Sequence, residues 1–380
     1  PRSPRSLVLV LGLLFGFACS STPEDETLVR LRSEFSDPPA SARPDAFWTW
    51  LNGSVNRERM TTEMEAMRAA GFSRLQVWDV RAHQDPENVV PAGPAFLSDA
   101  WLENLAFAEG EARRLGRELG LVASSGWNAG GDWVKPEDAL QGLYLSQQTL
   151  TGPADFAGRL SFPAVPEHAP RGDNGRPLVW ETVAVQAYEL KTGDSPFEPT
   201  RVVDLGEHVD GDGNLNWRVP QGRWRVRWFI SAHTGQRLIV PSPNSAGLQI
   251  DFFDAEDSRR YFHHVCDRLE SALGPLADSA LRYLEVFRTR YGYDARPWLA
   301  LLAPEDAGLA PGEAGERFLH DWTRLVSDLM IERHYRIGQA VLAERGLFLS
   351  AEAGGPGPPI WNSCPVDALG ALGAVGLMRG

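Results

Sequence analysis

Cysteine is scarce in this sequence of 380 residues, with only Cys19, Cys266 and Cys364. Three such scattered thiols give neither a disulfide framework nor the paired spacing of a thiolate metal centre. Basic charge is also in deficit. With 37 Lys and Arg against 50 Asp and Glu, the net charge is −13. No basic patch offsets it, so nucleic acid is excluded as a partner. The motifs of several common chemistries are missing: there is no P-loop, no G-x-G-x-x-G after a strand, no H-E-x-x-H and no G-x-S-x-G. The one adjacent histidine pair, His263–His264, faces two sides of a helix and so does not make a metal pair. Long apolar runs are lacking too. Leu7 to Ala18 is the apolar run of the N-terminus, and it is shorter than the roughly 20 residues a helix needs to span a bilayer.

That run has a different meaning. Arg2 and Arg5 precede it and Cys19-Ser20-Ser21 follows it, the order of a secretory signal. Gly16-Phe17-Ala18-Cys19 resembles a lipobox, with Gly16 where leucine is usual. Residues 1–21 are therefore expected to be a signal peptide whose Cys19 is lipidated. The protein is then exported, as an outer-membrane lipoprotein or a periplasmic protein, and meets a membrane only through its lipid anchor. Residues 22–43 read as a polar tether.

The remainder has the composition of a folded globular protein, 43% hydrophobic and 23% charged. Its 13 tryptophans are numerous. Most indoles pack in cores, but their flat faces also suit the C–H faces of sugar rings. From residue 44 a strand-then-helix rhythm sets in. Phe47-Trp48-Thr49-Trp50-Leu51 is β-prone and stops at Asn52-Gly53. Met60, Met64 and Met67 then recur at helical spacing up to Gly71. Leu75 to Val80 reads as a second strand. Ser98 can cap a helix whose Trp101, Leu105, Ala108, Ala112 and Leu115 share one face. Gly120 to Ser125 is a third strand, ending at Gly126-Trp127-Asn128. Serial βα units predict a parallel sheet.

Between 143 and 240 the rhythm breaks into short alternating runs, Thr182 to Tyr188 and Trp224 to Ile230 among them, which predicts a β-rich insertion. The βα pattern resumes over 241–380. Gly247 to Phe253 is a strand, and Phe262, Val265 and Leu269 mark a helix in which Cys266 is a small core residue. Leu281 to Leu284 is a short strand, Phe318, Trp322, Leu325 and Leu329 mark a long helix, and Leu347 to Glu352 is a last strand. The expected architecture is a (β/α)8 TIM-barrel type. Its first half lies in 44–142, and it is incomplete because about six strands can be counted where closure needs eight.

Barrels place their chemistry on the loops at the C-terminal ends of strands. That selects Asn52, Asp79, Trp127, Asn128, Asp251 and Glu352, with Trp50 beside them. Such residue types suit glycoside hydrolysis, where one carboxyl protonates the leaving oxygen and a second carboxylate acts on the other side of the ring. Any single strand-end polar residue also serves as a helix cap or loop stabiliser.

The motifs also resemble a known family. Phe35 to Pro39, Arg43-Pro44, Phe47 to Gly53, Gly126 to Glu137 (with Asp132 and Trp133), Tyr291 to Asp294 and Arg317 to Trp322 are similar to segments of glycoside hydrolase family 106. The resemblance implies an inverting α-L-rhamnosidase acting on rhamnose-containing glycans, typically calcium-dependent and with no organic cofactor. The residues expected to contact sugar are the strand-end set Asn52, Asp79, Trp127, Asn128 and Asp251, with Trp50, Asp132 and Trp133 of the family-like segments. Glu352 and Glu285 are the acids offered for catalysis. Glu352 resembles a family site residue whose role, in sugar binding, calcium binding or catalysis, the resemblance leaves open. Glu285 matches the helix acid ahead of the Tyr-Gly-Tyr-Asp turn rather than the family's general acid. The segment that carries that acid has no counterpart between Leu284 and Tyr291, and the carboxylate resembling the general base falls past Gly380. A partial copy is therefore expected, slowed by the roughly 10²–10⁴-fold that a general acid contributes. The alternatives are a non-catalytic carbohydrate-binding surface lipoprotein, or a barrel glycosidase with another sugar preference.

Overall fold

The computed structural model describes residues 26–39, 42–83, 85–87, 89–190, 198, 201–279, 299, 301–302, 312–352 and 366–379. The chain divides into two compact units at Pro44/Asp45. The first holds helix α1 (Glu26–Ser36), so the stretch expected as a polar tether is partly helical. Its sequence alternates Leu and Val with Glu and Arg, and most of these residues favour the helix. After the helix, Arg43 pairs with Asp37 at 2.7 Å and donates its Nε to the Pro38 carbonyl.

The second unit begins with β1 (Asp45–Leu51), α2 (Arg57–Ala69), β2 (Arg74–Val80), α3 (Asp99–Leu115) and β3 (Glu118–Leu121). The three strands form a parallel sheet in the order β1-β2-β3. Asn56 and Ser98 cap the two helices by accepting the backbone N–H three residues on. Met60 and Met64 of α2, and Trp101, Leu105, Ala108, Ala112 and Leu115 of α3, are buried on one face of the sheet against Trp48, Trp50, Leu75, Val77, Leu119 and Leu121. The third strand stops at Leu121, short of the expected Ser125, and the chain then turns at Gly126, whose φ is +89°. Among the described residues the parallel sheet has these three strands and no barrel sheet is formed. The architecture shown is a mixed α/β one.

After the two-residue β4 (Gly130–Gly131) come β5 (Gln141–Arg159), β6 (Trp180–Glu189), β7 (Val203–Asp204) and β8 (Asn214–His233). They form an antiparallel sheet in the order β5-β8-β6-β7 around a second core of Leu150, Val185, Leu215, Val226, Trp228 and Ile230. The segment 247–253, expected to resume the βα pattern, contributes only β9 (Leu248–Gln249), and this pairs antiparallel with β4. Glycine allows that pairing: a Cβ on Gly247 would sit 1.9 Å from the Gly131 carbonyl carbon.

Helix α4 (Ala255–Leu273) starts at Asp254, whose carboxylate accepts the Glu256 and Asp257 amides. It buries Tyr261, Phe262, Val265, Cys266 and Leu269 in the first core. Helix α5 (Gly312–Met330) runs through a π-turn at Ile331–Tyr335 into α6 (Arg336–Ala343). The last strand is shorter than expected: β10 (Ser350–Glu352) pairs in parallel with β11 (Leu377–Arg379), with α7 (Ala368–Leu372) between them in sequence. The expected strand at Leu281 to Leu284 lies outside the described residues, as do Cys19 and Glu285. Among the described residues no helix is long and apolar enough to cross a membrane.

Candidate functional site

The C-terminal ends of β1, β2 and β3 open onto loops that a single return segment, residues 236–250, ties together. The Trp127 amide donates to the Ile239 carbonyl at 3.1 Å, and the Arg81 amide to Val240 at 3.1 Å. Ser242 donates its amide to Ser125 Oγ, and Phe96 donates its amide to Ser245 Oγ. Gly126 is required at the crossing: a Cβ there would lie 2.2 Å from the Ile239 oxygen.

Most of the side chains selected from sequence turn inward at this rim. Trp50 is 1% exposed and packs on Trp101 and Trp48 in the core, so it offers no face to a sugar. Asn52, in the left-handed region at φ +56°, accepts the Ala82 amide and donates to the Val90 carbonyl, both at 2.8 Å. It therefore shapes the loop after β2. Asp79 is fully enclosed. Its carboxylate accepts the Trp101 indole N–H at 3.0 Å and the Ser125 hydroxyl at 2.5 Å, and burial holds its pKa above the ordinary carboxylate value. Asn128 is a clamp. Its Oδ1 accepts the Ile239 amide at 2.6 Å, and its Nδ2 donates to Gln249 Oε1 at 2.9 Å. Asp251 is buried and accepts the Phe253 amide at 2.9 Å. Desolvation, with the Asp254 carboxylate adding to it, pushes its pKa up to about 6.

What faces solvent is a smaller set. Trp127 is 63% exposed. Its ring stands edge-on to Trp78 at 4.7 Å, and the Trp78 indole N–H is fixed on the Gly126 carbonyl at 2.8 Å. Trp78 in turn lies 5.4 Å from the half-exposed Phe47 of β1. Phe47, Trp78 and Trp127 make one aromatic stripe on the sheet face opposite the helices. Asp132 is exposed. Trp133 is half-buried and stacks on His264 at 4.5 Å, and burial beside Arg268 lowers the pKa of that histidine.

The structure thus brings Trp127 to an open surface and places Trp50, Asn52, Asp79, Asn128 and Asp251 in the supporting framework. Phe47 and Trp78 were not selected from sequence. The two-residue alternation of Phe47-Trp48-Thr49-Trp50-Leu51 carried the signal for Phe47, since it sets Phe47 on the face away from Trp48 and Trp50. The strand of Glu352 is described but its side chain is not. Among the described residues no group of three His, Cys, Asp or Glu side chains is placed to hold a metal ion.

An aromatic stripe on an α/β scaffold, running from Phe47 to the loop that carries Trp127, is a surface suited to packing against the apolar face of a ring. Comparison with known proteins gives the family. The model of glycoside hydrolase family 106, described as alpha-L-rhamnosidase, matches residues 36–172 and 174–362. The chain belongs to that family. A Formosa agariphila protein named "Putative beta-glucuronidase" is 25% identical, aligned over 98% of this chain and 34% of its own length. The chain therefore spans about a third of that relative. The solved structure of a rhamnosidase from Novosphingobium sp. PP1Y, 22% identical, covers 91% of this chain and 49% of its own, with a TM-score of 0.68. That likeness shows a shared fold.

Proposed function

We propose that this protein is an inverting glycoside hydrolase acting on α-L-rhamnosyl residues of rhamnose-containing glycans. In this reading the sheet β1-β2-β3 is part of a (β/α)8 barrel, and Trp127 is the platform on which a sugar ring stacks. The observation that carries the reading is an indole left largely in solvent on a loop that is otherwise clamped on three sides, by Asn128, Trp78 and the Ile239 carbonyl. A large exposed apolar side chain on a rigid rim is suited to binding.

Inversion needs an acid and a base on opposite sides of the anomeric carbon, roughly 6.5–9.5 Å apart so that water fits between. Asp79 and Asp251 are enclosed and do not serve. Glu352 and Glu285 remain the acids offered for the reaction, Glu352 as the strand-end acid that resembles a family site residue and Glu285 as the helix acid ahead of the Tyr-Gly-Tyr-Asp turn, which does not match the general acid. Export, the lipid on Cys19 and a calcium ion complete the reading.

The test is an assay of purified protein on aryl α-L-rhamnoside, with aryl β-glucuronide alongside. The expected outcome is binding of the rhamnoside that weakens about tenfold in Trp127→Ala. Turnover is expected about 10²–10⁴-fold below ordinary glycosidase rates, with the inverted anomer seen first by NMR. Rhamnoside affinity unchanged in Trp127→Ala, or turnover of the glucuronide alone, would overturn it. A second reading, a carbohydrate-binding lipoprotein without catalysis, is favoured by one observation: of the acids proposed for the rim whose side chains are described, Asp132 alone reaches solvent. Binding without hydrolysis by the full-length gene product would select it.

A further inference from the structure

The antiparallel sheet carries a cleft of its own, of about 430 Å³. It lies between the end of β5 and the two turns ahead of β6 and β8, and is lined by Arg159, Ser161, Phe162, Asn174, Arg176 and Asp212. The volume falls in the roughly 300–1,000 Å³ range of small-molecule sites.

Beneath it lies a cluster of aromatic rings under a guanidinium. The Arg176 guanidinium lies 4.9 Å over the Phe162 ring and 5.2 Å over the Trp180 ring. It donates to the Gly211 carbonyl at 2.9 Å and pairs with Asp212 at 3.3 Å. Phe162 is itself held edge-on by Trp180 and Trp228.

Its polar groups are only partly engaged. Arg159 donates Nε to the Asp212 backbone carbonyl at 3.0 Å, and its two terminal nitrogens have no partner among the described residues. Asn174 Oδ1 accepts the Arg176 amide at 3.0 Å, which leaves its Nδ2 as a free donor. Ser161 is exposed with its hydroxyl unengaged. The Asp212 carboxylate answers Arg176, and the nearby Asp210 carboxylate is taken up by Asn214 and the Asp212 amide. The cleft therefore has one guanidinium edge beyond its own carboxylate, beside the Phe162 ring that Arg176 covers and two spare hydroxyl-directed groups.

We propose that this cleft is a second glycan-binding site that takes an acidic sugar residue. The sugar's anionic group would sit on the free edge of Arg159, where a planar two-donor guanidinium matches a carboxylate. Its ring hydroxyls would reach Ser161, Asn174 and Asp212. Two sources share that chemistry, a uronic acid and a sulfated sugar. The inference takes only the glycan class of its ligand from the proposed function and does not need hydrolysis.

Calorimetry on the whole chain tests it with three probes at low salt: a galacturonate oligosaccharide, its methyl ester and a sulfated galactan oligosaccharide. Binding of either anionic probe is expected, absent for the methyl ester and weakened by salt. Arg159→Ala should weaken it at least tenfold while its circular dichroism stays that of the parent. Trp127→Ala should leave it unchanged, which separates failure at this site from failure at the rim. Which anionic probe binds identifies the source. No binding of either, equal binding of the methyl ester, or unchanged affinity in Arg159→Ala would overturn the proposal.

Discussion

Replacing Asp251 by Asn distinguishes a buried framework acid from one that meets substrate. The side chain is buried and its carboxylate accepts the Phe253 amide. Desolvation, reinforced by Asp254 and opposed by the Arg333 charge, raises its pKa from the ordinary 3.8 to about 6. The sign follows from linkage. A carboxyl that is harder to ionise when folded favours the folded state at low pH, and that contribution is lost as pH rises from 3.8 through about 6. At about 1.4 kcal/mol per pH unit, the loss approaches about 3 kcal/mol by neutral pH. Asparagine has nearly the shape of the protonated acid and keeps an oxygen for the Phe253 amide, but never ionises. Urea denaturation of parent and variant from pH 4 to 7.5 should therefore show the difference moving in favour of Asp251→Asn by about 2–3 kcal/mol across that window. Titrations of groups remote from Asp251 cancel in the difference; Asp257, whose carboxyl the Asp251 charge helps to hold high, contributes a smaller change of its own. Rhamnoside affinity should not change. A difference that stays flat with pH, or a loss of sugar affinity at unchanged stability, would refute a framework role for this acid.

Two further perturbations probe the rim. Asn128→Ala removes the clamp, leaving the Ile239 amide and the buried Gln249 oxygen without it. The expected cost is about 2–3 kcal/mol in urea denaturation, with Trp127 becoming easier to quench by acrylamide, and a loss below about 0.5 kcal/mol would mean that the clamp is idle. Trp50→Ala should cost about 3–5 kcal/mol in stability while the folded fraction retains its rhamnoside affinity. A selective loss of that affinity in titrations would return Trp50 to the sugar site.

Several elements were legible locally. Met60 and Met64, then Trp101 to Leu115, and later Phe262 to Leu269, repeat at the helical period and are buried as that period requires. The break in rhythm ahead of β6 and β8 was equally plain, because alternating short runs have no helical face to bury. The site was less legible. Phe47, Trp48 and Trp50 look alike in sequence, yet two pack under helices and one lies half in solvent. Asp79 and Asp251 fit the rule that strand-end acids carry chemistry, and are enclosed instead. The segment after Gly247 has the composition of a parallel strand, yet it pairs antiparallel with Gly130–Gly131.

The sequence by itself determined the periodicities, the helix caps and the family motifs, because each of these is a property of neighbouring residues or of a short run. Only the tertiary structure decided which face of β1 became core. It also joined Asn128 to Ile239 and Gln249, more than a hundred positions away. Burial and the partners of a polar group depend on chain segments that meet only on folding, and it is those partners that left Trp127 at the surface and took Asp79 out of it.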